Sequence, residues 1–129
     1  MNRYCLIFQS SPVIARDLAM TLQDLTGCDP ILVPDLGSAE TAVADLGDEA
    51  ELAYAFVHLG VSDYRKSRLQ RLLDGRRARV VLLGHEAETE VARSEWPVLA
   101  QPFSTDQVAD LLARVEASAA SGACEEGLR

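Results

Sequence analysis

Cysteine and histidine are scarce in this sequence, and their positions exclude several kinds of site. Cys5, Cys28 and Cys124 are far apart and odd in number, so they predict neither a disulfide framework nor a Cys-x-x-Cys metal or redox site. We expect Cys5 to be a small core residue and give the other two no structural role. His58 and His85 lie in no cluster of zinc-ligand spacing. The sequence therefore predicts no bound metal.

Long apolar runs and excess positive charge are also missing. No run approaches the roughly 20 apolar residues that a membrane helix needs, and the first residues lack the cleavage pattern of a signal peptide. We therefore expect a cytoplasmic protein with no membrane partner. The net charge of −8 repels nucleic-acid phosphates, and neither Gly-x-Gly-x-x-Gly nor a Walker loop follows any predicted strand. The sequence thus predicts no nucleic-acid partner, no bound nucleotide and no cofactor.

Positive charge is concentrated in one segment of this acidic chain. Seven of the twelve basic residues fall between positions 65 and 79. We interpret this segment as the solvated face of a helix, and the alternative is a docking patch for an acidic partner. The seven residues are Arg65, Lys66, Arg68, Arg71, Arg76, Arg77 and Arg79.

The chain is long and apolar enough for one folded domain, with 129 residues of which 48% are hydrophobic. Short β-rich runs alternate with segments of helical periodicity. We predict a domain over residues 1–117 and a disordered tail over 118–129. The predicted strands are 4–8, 31–33, 52–59, 80–83 and 97–100, and the predicted helices are 12–26, 38–46, 63–73, 86–94 and 104–116.

Several helix ends carry recognisable signals. Ser11 is suited to cap a first helix that begins at Pro12 and stops at Gly27. Ser104 and Gln107 form a possible capping box before an apolar face with the spacing i, i+3, i+4 and i+7. We further expect Ser38 to start the second helix, and glycines to end the second and third.

Five alternations of strand and helix predict a flavodoxin-like (βα)5 three-layer sandwich around a parallel five-stranded sheet. The commonest strand order for such a small sheet is 2-1-3-4-5, and its site lies where strands 1 and 3 end. Gln9, Ser10 and His58 occupy those strand ends. They are therefore the first candidates for a functional site.

Four spaced segments of the chain resemble receiver domains of bacterial response regulators. Residues 6–18 resemble the segment in which a pair of acids ends strand 1, and residues 55–61 resemble the segment that carries the phosphoacceptor aspartate. Residues 80–85 resemble the segment that ends in Ser or Thr. Residues 99–104 are similar to the Lys-Pro-Phe segment, with Gln101 in place of the lysine.

The resemblance implies a degenerate phosphoacceptor pocket. The acid pair is replaced by Gln9 and Ser10, the aspartate by His58, and the hydroxyl residue by Gly84 or, with a shift of one position, by Leu83. With Gln101 these residues provide no carboxylate and no lysine. A phosphoacceptor must be a carboxylate beside a divalent cation, so we expect no phosphorylation, no Mg²⁺ and no enzyme activity.

The function implied by the resemblance is that of a stand-alone, non-phosphorylatable signalling module of the two-component type. Such a module acts by contact with a protein, which is a signalling kinase, an effector or a second copy in a homodimer. No output domain is expected after residue 116, and Val98 lies near the place where many receivers have a switch aromatic. The expected interaction face contains Trp96, Val98, Pro102, Phe103 and Val108.

Two alternatives use the same strand ends differently. Ser10 or Ser11 with His58 would form a small hydrolase-like site, although Ser11 is better explained as a helix cap and no orienting acid is evident. Phosphorylation of His58, or a change of its charge near neutral pH, would give signalling by a non-standard chemistry.

Overall fold

A computed structural model describes residues 3–100 and 103–115 of the chain. Strands and helices alternate along it as the sequence predicts. The strands are β1 (Arg3–Phe8), β2 (Asp29–Val33), β3 (Glu51–Val57), β4 (Arg79–Leu83) and β5 (Val98–Leu99). The helices are α1 (Pro12–Thr26), α2 (Leu36–Asp45), α3 (Val61–Lys66), α4 (Arg68–Arg76), α5 (His85–Thr89) and α6, which is described over residues 105–115, with a 3-10 turn at Val91–Arg93.

The five strands form one parallel sheet in the order β2-β1-β3-β4-β5. The predicted flavodoxin-like fold and its strand order are confirmed. β1 lies between β2 and β3: Phe8 pairs with Val33 of β2 on one side and with Val57 of β3 on the other. The carboxyl ends of β1 and β3 are therefore neighbours.

Alternate side chains of each strand enter two separate cores, one on each side of the sheet. Cys5 and Ile7 pack under α1 and α6, whereas Leu6 and Phe8 pack under α2, α3, α4 and α5. Cys5 is fully buried, as predicted. The core between the sheet and the two helices α1 and α6 is called the α1–α6 core below. Cys28 is also fully buried in it, and this packing role was not predicted.

The predicted caps of α1 and α6 are confirmed. Ser11 Oγ accepts from the backbone N–H of Ile14 at 3.5 Å, and Gly27 ends α1 with a left-handed φ of 73°. In the box that begins α6, Ser104 N–H donates to Gln107 Oε1 at 2.7 Å and Gln107 N–H donates to Ser104 Oγ at 3.2 Å.

The second helix begins earlier than the sequence predicted. Asp35, not Ser38, is its N-cap, because the Asp35 carboxylate accepts from the backbone N–H of Ser38 at 2.7 Å. This hydrogen bond lowers the pKa of Asp35 below its usual value. Ser38 therefore lies in the first turn of the helix.

The predicted basic helix is two helices, broken at Ser67. Ser67 Oγ donates to the carbonyl of Tyr64 at 2.7 Å and accepts from the N–H of Gln70 at 3.2 Å, so the same side chain closes α3 and caps α4. α4 ends at Arg76, with Arg77 as its C-cap at a left-handed φ of 58°, and not at Gly75. The break lets Tyr64 be fully buried.

The helix predicted over 86–94 is replaced by the short α5 and the 3-10 turn. None of the helices within 3–100 and 103–115 is both long and apolar enough to cross a membrane. The predicted tail, 118–129, and Cys124 lie outside the described residues.

Candidate functional site

The structure brings the predicted strand ends together. His58 N–H donates to the carbonyl of Phe8 at 2.9 Å, which extends the pairing of β1 and β3 by one residue. Ser10 Oγ then lies 3.4 Å from His58 Nδ1, a long hydrogen bond whose direction depends on the imidazole tautomer. Gln9, Ser10 and His58 thus line the carboxyl end of the sheet.

Gln9 is the buried polar residue of this site, with 3% of its surface exposed. Its side-chain Oε1 accepts from the backbone N–H of Ser11 at 3.2 Å, which fixes the orientation of the amide. Its Nε2 is buried and has no hydrogen-bond partner among the described residues. An amide donor held in this way costs free energy unless an acceptor reaches it.

The His58 ring lies directly against Gly84. A Cβ atom on residue 84 would lie 2.3 Å from His58 Cδ2 and 2.6 Å from His58 Nε2, which is closer than atoms can approach. Gly84 also has a φ of 100° and a ψ of 164°, a backbone conformation that only glycine adopts readily. No residue with a side chain fits at position 84 while His58 keeps this position.

Neither candidate for the hydroxyl position supplies a hydroxyl. Gly84 has no side chain, and Leu83 is fully buried in the α1–α6 core. Gln101, which the sequence assigned to the lysine position, lies outside the described residues.

Two carboxylates in and just after α5, those of Glu86 and Glu90, lie beside the start of α3. Glu90 accepts from the N–H of Val61 at 3.1 Å and from the hydroxyl of Ser62 at 2.9 Å. A Cβ on Gly60 would lie 2.8 Å from Glu90 Oε1 and 3.0 Å from Glu86 Oε2, so a larger residue at position 60 would displace these two carboxylates. Sequence reasoning missed this long-range cap, because nothing in the chain relates residue 90 to residue 61.

Magnesium, which receiver domains imply, does not fit these side chains. Gln9, Ser10 and His58 offer amide, hydroxyl and imidazole groups, whereas Mg²⁺ gives up its water for anionic oxygens. Within the described ranges no three His, Cys, Asp or Glu side chains are grouped to hold a metal.

The described residues of the predicted interaction face pack against both cores. Trp96 and Val98 pack against the core under α2 to α5, whereas Phe103 packs against the core under α1 and α6. Val108 is fully buried, so its assignment to the surface is wrong: it is a core residue of α6. Pro102 lies outside the described residues.

Trp96 is instead part of a cluster with α3. Its ring meets Tyr64 edge-on, with centroids 4.8 Å apart and an interplanar angle of 86°. The Arg65 guanidinium lies 5.7 Å from the Trp96 ring centroid and 3.0 Å from the Glu95 carboxylate. No pattern in the sequence predicts this contact, which joins residues about 30 positions apart and places an aromatic ring beside the basic segment.

Comparison with known proteins gives structural likeness without a family match. No family model and no curated protein matches the chain. The solution structure of SdrG from Sphingomonas melonis Fr1 is similar, with a TM-score of 0.65 and 24% identity over 89% of this chain and 96% of that one. The receiver domain of the sensor histidine kinase PA1611 from Pseudomonas aeruginosa PAO1, solved with a magnesium ion in its active-site cleft, has a TM-score of 0.65 and 20% identity over 88% of this chain and 97% of that one. The likeness shows that this chain has the receiver fold.

Proposed function

We propose that this chain is a cytoplasmic, bacterial, receiver-like module of two-component signalling that is not phosphorylated and acts by contact with a protein. The observation that carries the proposal is the contact of the His58 ring with Gly84. By the sequence resemblance, His58 takes the place of the receivers' aspartate. A signalling kinase, an effector and a second copy of the chain are the partners that such a module contacts.

The chemistry of the site supports the absence of phosphorylation. An acyl phosphate forms only on a carboxylate, and the attack on phosphorus needs cations to neutralise the oxygens in transfer. Gln9, Ser10 and His58 contribute neither a carboxylate nor a permanent cation. The side chains that remain hydrogen-bond one another or the backbone.

The fit between His58 and Gly84 supports a site that is adapted to its present residues. The imidazole fills the space into which a side chain at position 84 would project, and the glycine adopts a φ that other residues avoid. A hydroxyl side chain at position 84 has no room in this arrangement. Regulation then depends on binding of the partner. A partner shifts the module between two conformations only if it binds one of them more tightly than the other.

The direct test is incubation of the protein with acetyl phosphate and Mg²⁺, followed by intact mass measurement. We expect no gain in mass. A gain of one phosphoryl group that maps to residues 52–63 would overturn the proposal.

A second test asks whether Gln9, Ser10 and His58 still converge as the receiver acids do. The triple variant Gln9→Asp, Ser10→Asp, His58→Asp should melt at a higher temperature when Mg²⁺ is added, because the metal binds only the folded carboxylates. The matched control replaces the same three residues by Asn, which has the same size and no charge, and should not respond. If the folded Asp variant ignores Mg²⁺, the assignment of the site is wrong.

The hydrolase-like alternative rests on the contact between Ser10 and His58. In such a site a third group orients the base through its other ring nitrogen. The Nε2 edge of His58 faces Gly84, and no described carboxylate is bonded to it. Turnover of an activated ester that Ser10→Ala abolishes would favour this alternative, and phosphate on His58 in the acetyl phosphate experiment would favour the other one.

A further inference from the structure

The seven basic residues of the segment 65–79 divide into two groups in the structure. Three of them have roles in the fold: Arg65 binds Glu95 and covers Trp96, Arg76 binds backbone carbonyls after α2, and Arg79 lies over the ring of Tyr54. The remaining four make no ion pair within the described part of the chain. These are Lys66, Arg68, Arg71 and Arg77, all of them exposed.

Lys66, Arg68 and Arg71 are exposed and follow closely in the chain after Arg65, which contacts Trp96. Arg68 and Arg71 are three residues apart on α4 and so project from the same side of the helix. Lys66 and Arg65 form the last turn of α3, immediately before α4. We call these four side chains, with Trp96 at their border, the basic surface. Along α4, whose nine residues span about 13 Å, it has the length of a short peptide.

We propose that the basic surface is the docking site for an acidic segment of a partner protein. This inference rests on the proposed function, since it names the chemistry of the partner that the module contacts. Charge complementarity carries it: residues 61–79 contain seven basic and two acidic residues in a chain whose net charge is −8. Such segregation attracts a compact acidic ligand to one place.

The contacts of Arg65 show how the surface holds a carboxylate. Its guanidinium donates to Glu95 Oε1 at 3.0 Å while its face lies near Trp96. An arginine stacked on an aromatic ring is held in one orientation, which reduces the entropy lost when it binds an acid. Arg68 and Arg71 extend this arrangement with two guanidinium groups that have no acid of their own.

The charge of the other surfaces favours a protein segment over a longer polyanion. Because residues 61–79 are basic, the rest of the chain is more negative than the whole. Duplex DNA or an anionic membrane would extend past the basic surface and meet these carboxylates, within the Debye length of about 8 Å at physiological salt. A peptide of several acidic residues ends before it reaches them.

The sequence contains a single tryptophan, Trp96, so tryptophan emission, excited at wavelengths that tyrosine does not absorb, reports on this surface. Titration with a decaglutamate peptide should change the Trp96 emission in a saturable way, and added salt should weaken the binding. Decalysine should give no change. Duplex DNA and phosphatidylserine vesicles, tested in the same buffer, should bind more weakly than decaglutamate.

The decisive comparison uses two charge-reversal pairs. The pair Arg68→Glu and Arg71→Glu should weaken decaglutamate binding about tenfold or more, whereas the pair Arg16→Glu and Arg114→Glu should change it only slightly. Both pairs alter exposed residues and the net charge equally. Equal losses in the two pairs, no binding of decaglutamate, or tighter binding of DNA or vesicles would each overturn the docking site. None of these results affects the acetyl phosphate experiment, so the proposed function is tested separately.

Discussion

The two sides of the sheet stabilise the ends of their helices in different ways. On the side of α1 and α6, the caps come from the adjacent residues Ser11, Gly27 and the Ser104–Gln107 box. On the side of α2 to α5, two helix ends depend on distant side chains: Glu90 caps α3, and Arg76 binds the carbonyls at the end of α2.

The shortest helices also lie on the second side of the sheet. α1 has 15 residues with a local signal at both ends, whereas α3 has six and α5 has five. Short helices are marginal by themselves, because the first turn costs more entropy than one hydrogen bond returns. On the second side the tertiary contacts stabilise helix ends that local sequence leaves incomplete.

Arg76 should have the largest effect of these caps. Its guanidinium donates to the carbonyls of Gly47 at 2.8 Å, Ala50 at 3.4 Å and Val43 at 3.5 Å, and also to that of Leu46. Arg76→Met keeps the aliphatic stem and removes all of these donors, so we expect a loss of about 2–4 kcal/mol in the free energy of unfolding.

Urea unfolding checks the Arg76 prediction. Arg71→Met is the matched control, because Arg71 is exposed on the same helix and should change stability by no more than about 0.5 kcal/mol. Arg76→Lys should lie between the two, since one ammonium cannot reach several carbonyls in a plane. Equal stabilities of Arg76→Met and Arg71→Met would contradict a structural role for Arg76.

Glu90 should have an intermediate effect. Glu90→Ala removes the acceptor of the Val61 N–H and of the Ser62 hydroxyl, together with a negative charge at the start of α3. A loss of about 1–2 kcal/mol is expected. Glu90→Gln retains an amide oxygen and should lose less. The measurement is again urea unfolding, and a Glu90→Ala variant as stable as the parent would show that α3 needs no cap from α5.

The local cap of α6 should have a smaller effect. Ser104→Ala removes the acceptor of the Gln107 N–H and should cost about 1 kcal/mol, whereas Ser104→Asp preserves the acceptor and should cost little. A double-mutant cycle with Gln107→Ala measures the coupling within the box. No coupling in that cycle would mean that the two hydrogen bonds are independent.

The sequence was sufficient for many local interactions, although it missed the Asp35 cap and the break at Ser67, whose partners are three residues away. The alternation of strands and helices follows from periodicity, and the caps at Ser11 and Ser104 follow from capping chemistry. The strand order came from the commonest order of such a sheet, and the convergence of Gln9, Ser10 and His58 follows from that order. The burial of Val108 was predictable too, because its spacing with the apolar positions of α6 marks a core face.

The sequence was insufficient where two distant segments meet. The contact of His58 with Gly84 depends on a φ of 100°, which no sequence pattern reveals at an isolated glycine. The break at Ser67 replaced one predicted helix by two, because a buried hydroxyl bonded the backbone on both sides. Glu90, Arg76 and the Arg65–Trp96 contact all join residues about 30 positions apart.

The two cores can also be compared by how the free energy of unfolding changes at alkaline pH. This change is absent at neutral pH. Burial raises the pKa of the Cys5 thiol, in the α1–α6 core, from 9.0 to about 12, with smaller contributions from Cys28 and Asp29. Burial also raises the pKa of Tyr64, in the opposite core, above its usual value, with a smaller contribution from Asp74.

Both groups are neutral in the folded protein at pH values where the unfolded chain ionises. Their contributions are therefore complete below the ordinary pKa values and are lost as the pH rises, beginning near pH 9 for Cys5 and about one unit higher for Tyr64. Each group lowers the free energy of unfolding by at most about 1.4 kcal/mol per pH unit in its range. Urea unfolding measures the slope of the free energy of unfolding against pH. The range from pH 8 to pH 11 is set by those pKa values.

Tyr64→Phe and Cys5→Ala separate the two cores. The Tyr64 hydroxyl is buried with no partner among the described residues, so Tyr64→Phe should leave stability at neutral pH unchanged or slightly higher and should flatten the slope only at the alkaline end. Cys5→Ala should lower stability at neutral pH, because it removes a buried sulfur atom, but should flatten the slope from pH 9 upward. A Tyr64→Phe variant that loses as much free energy of unfolding at neutral pH as a core deletion would contradict this. The hydroxyl would then have a hydrogen-bond partner in the core under α2 to α5.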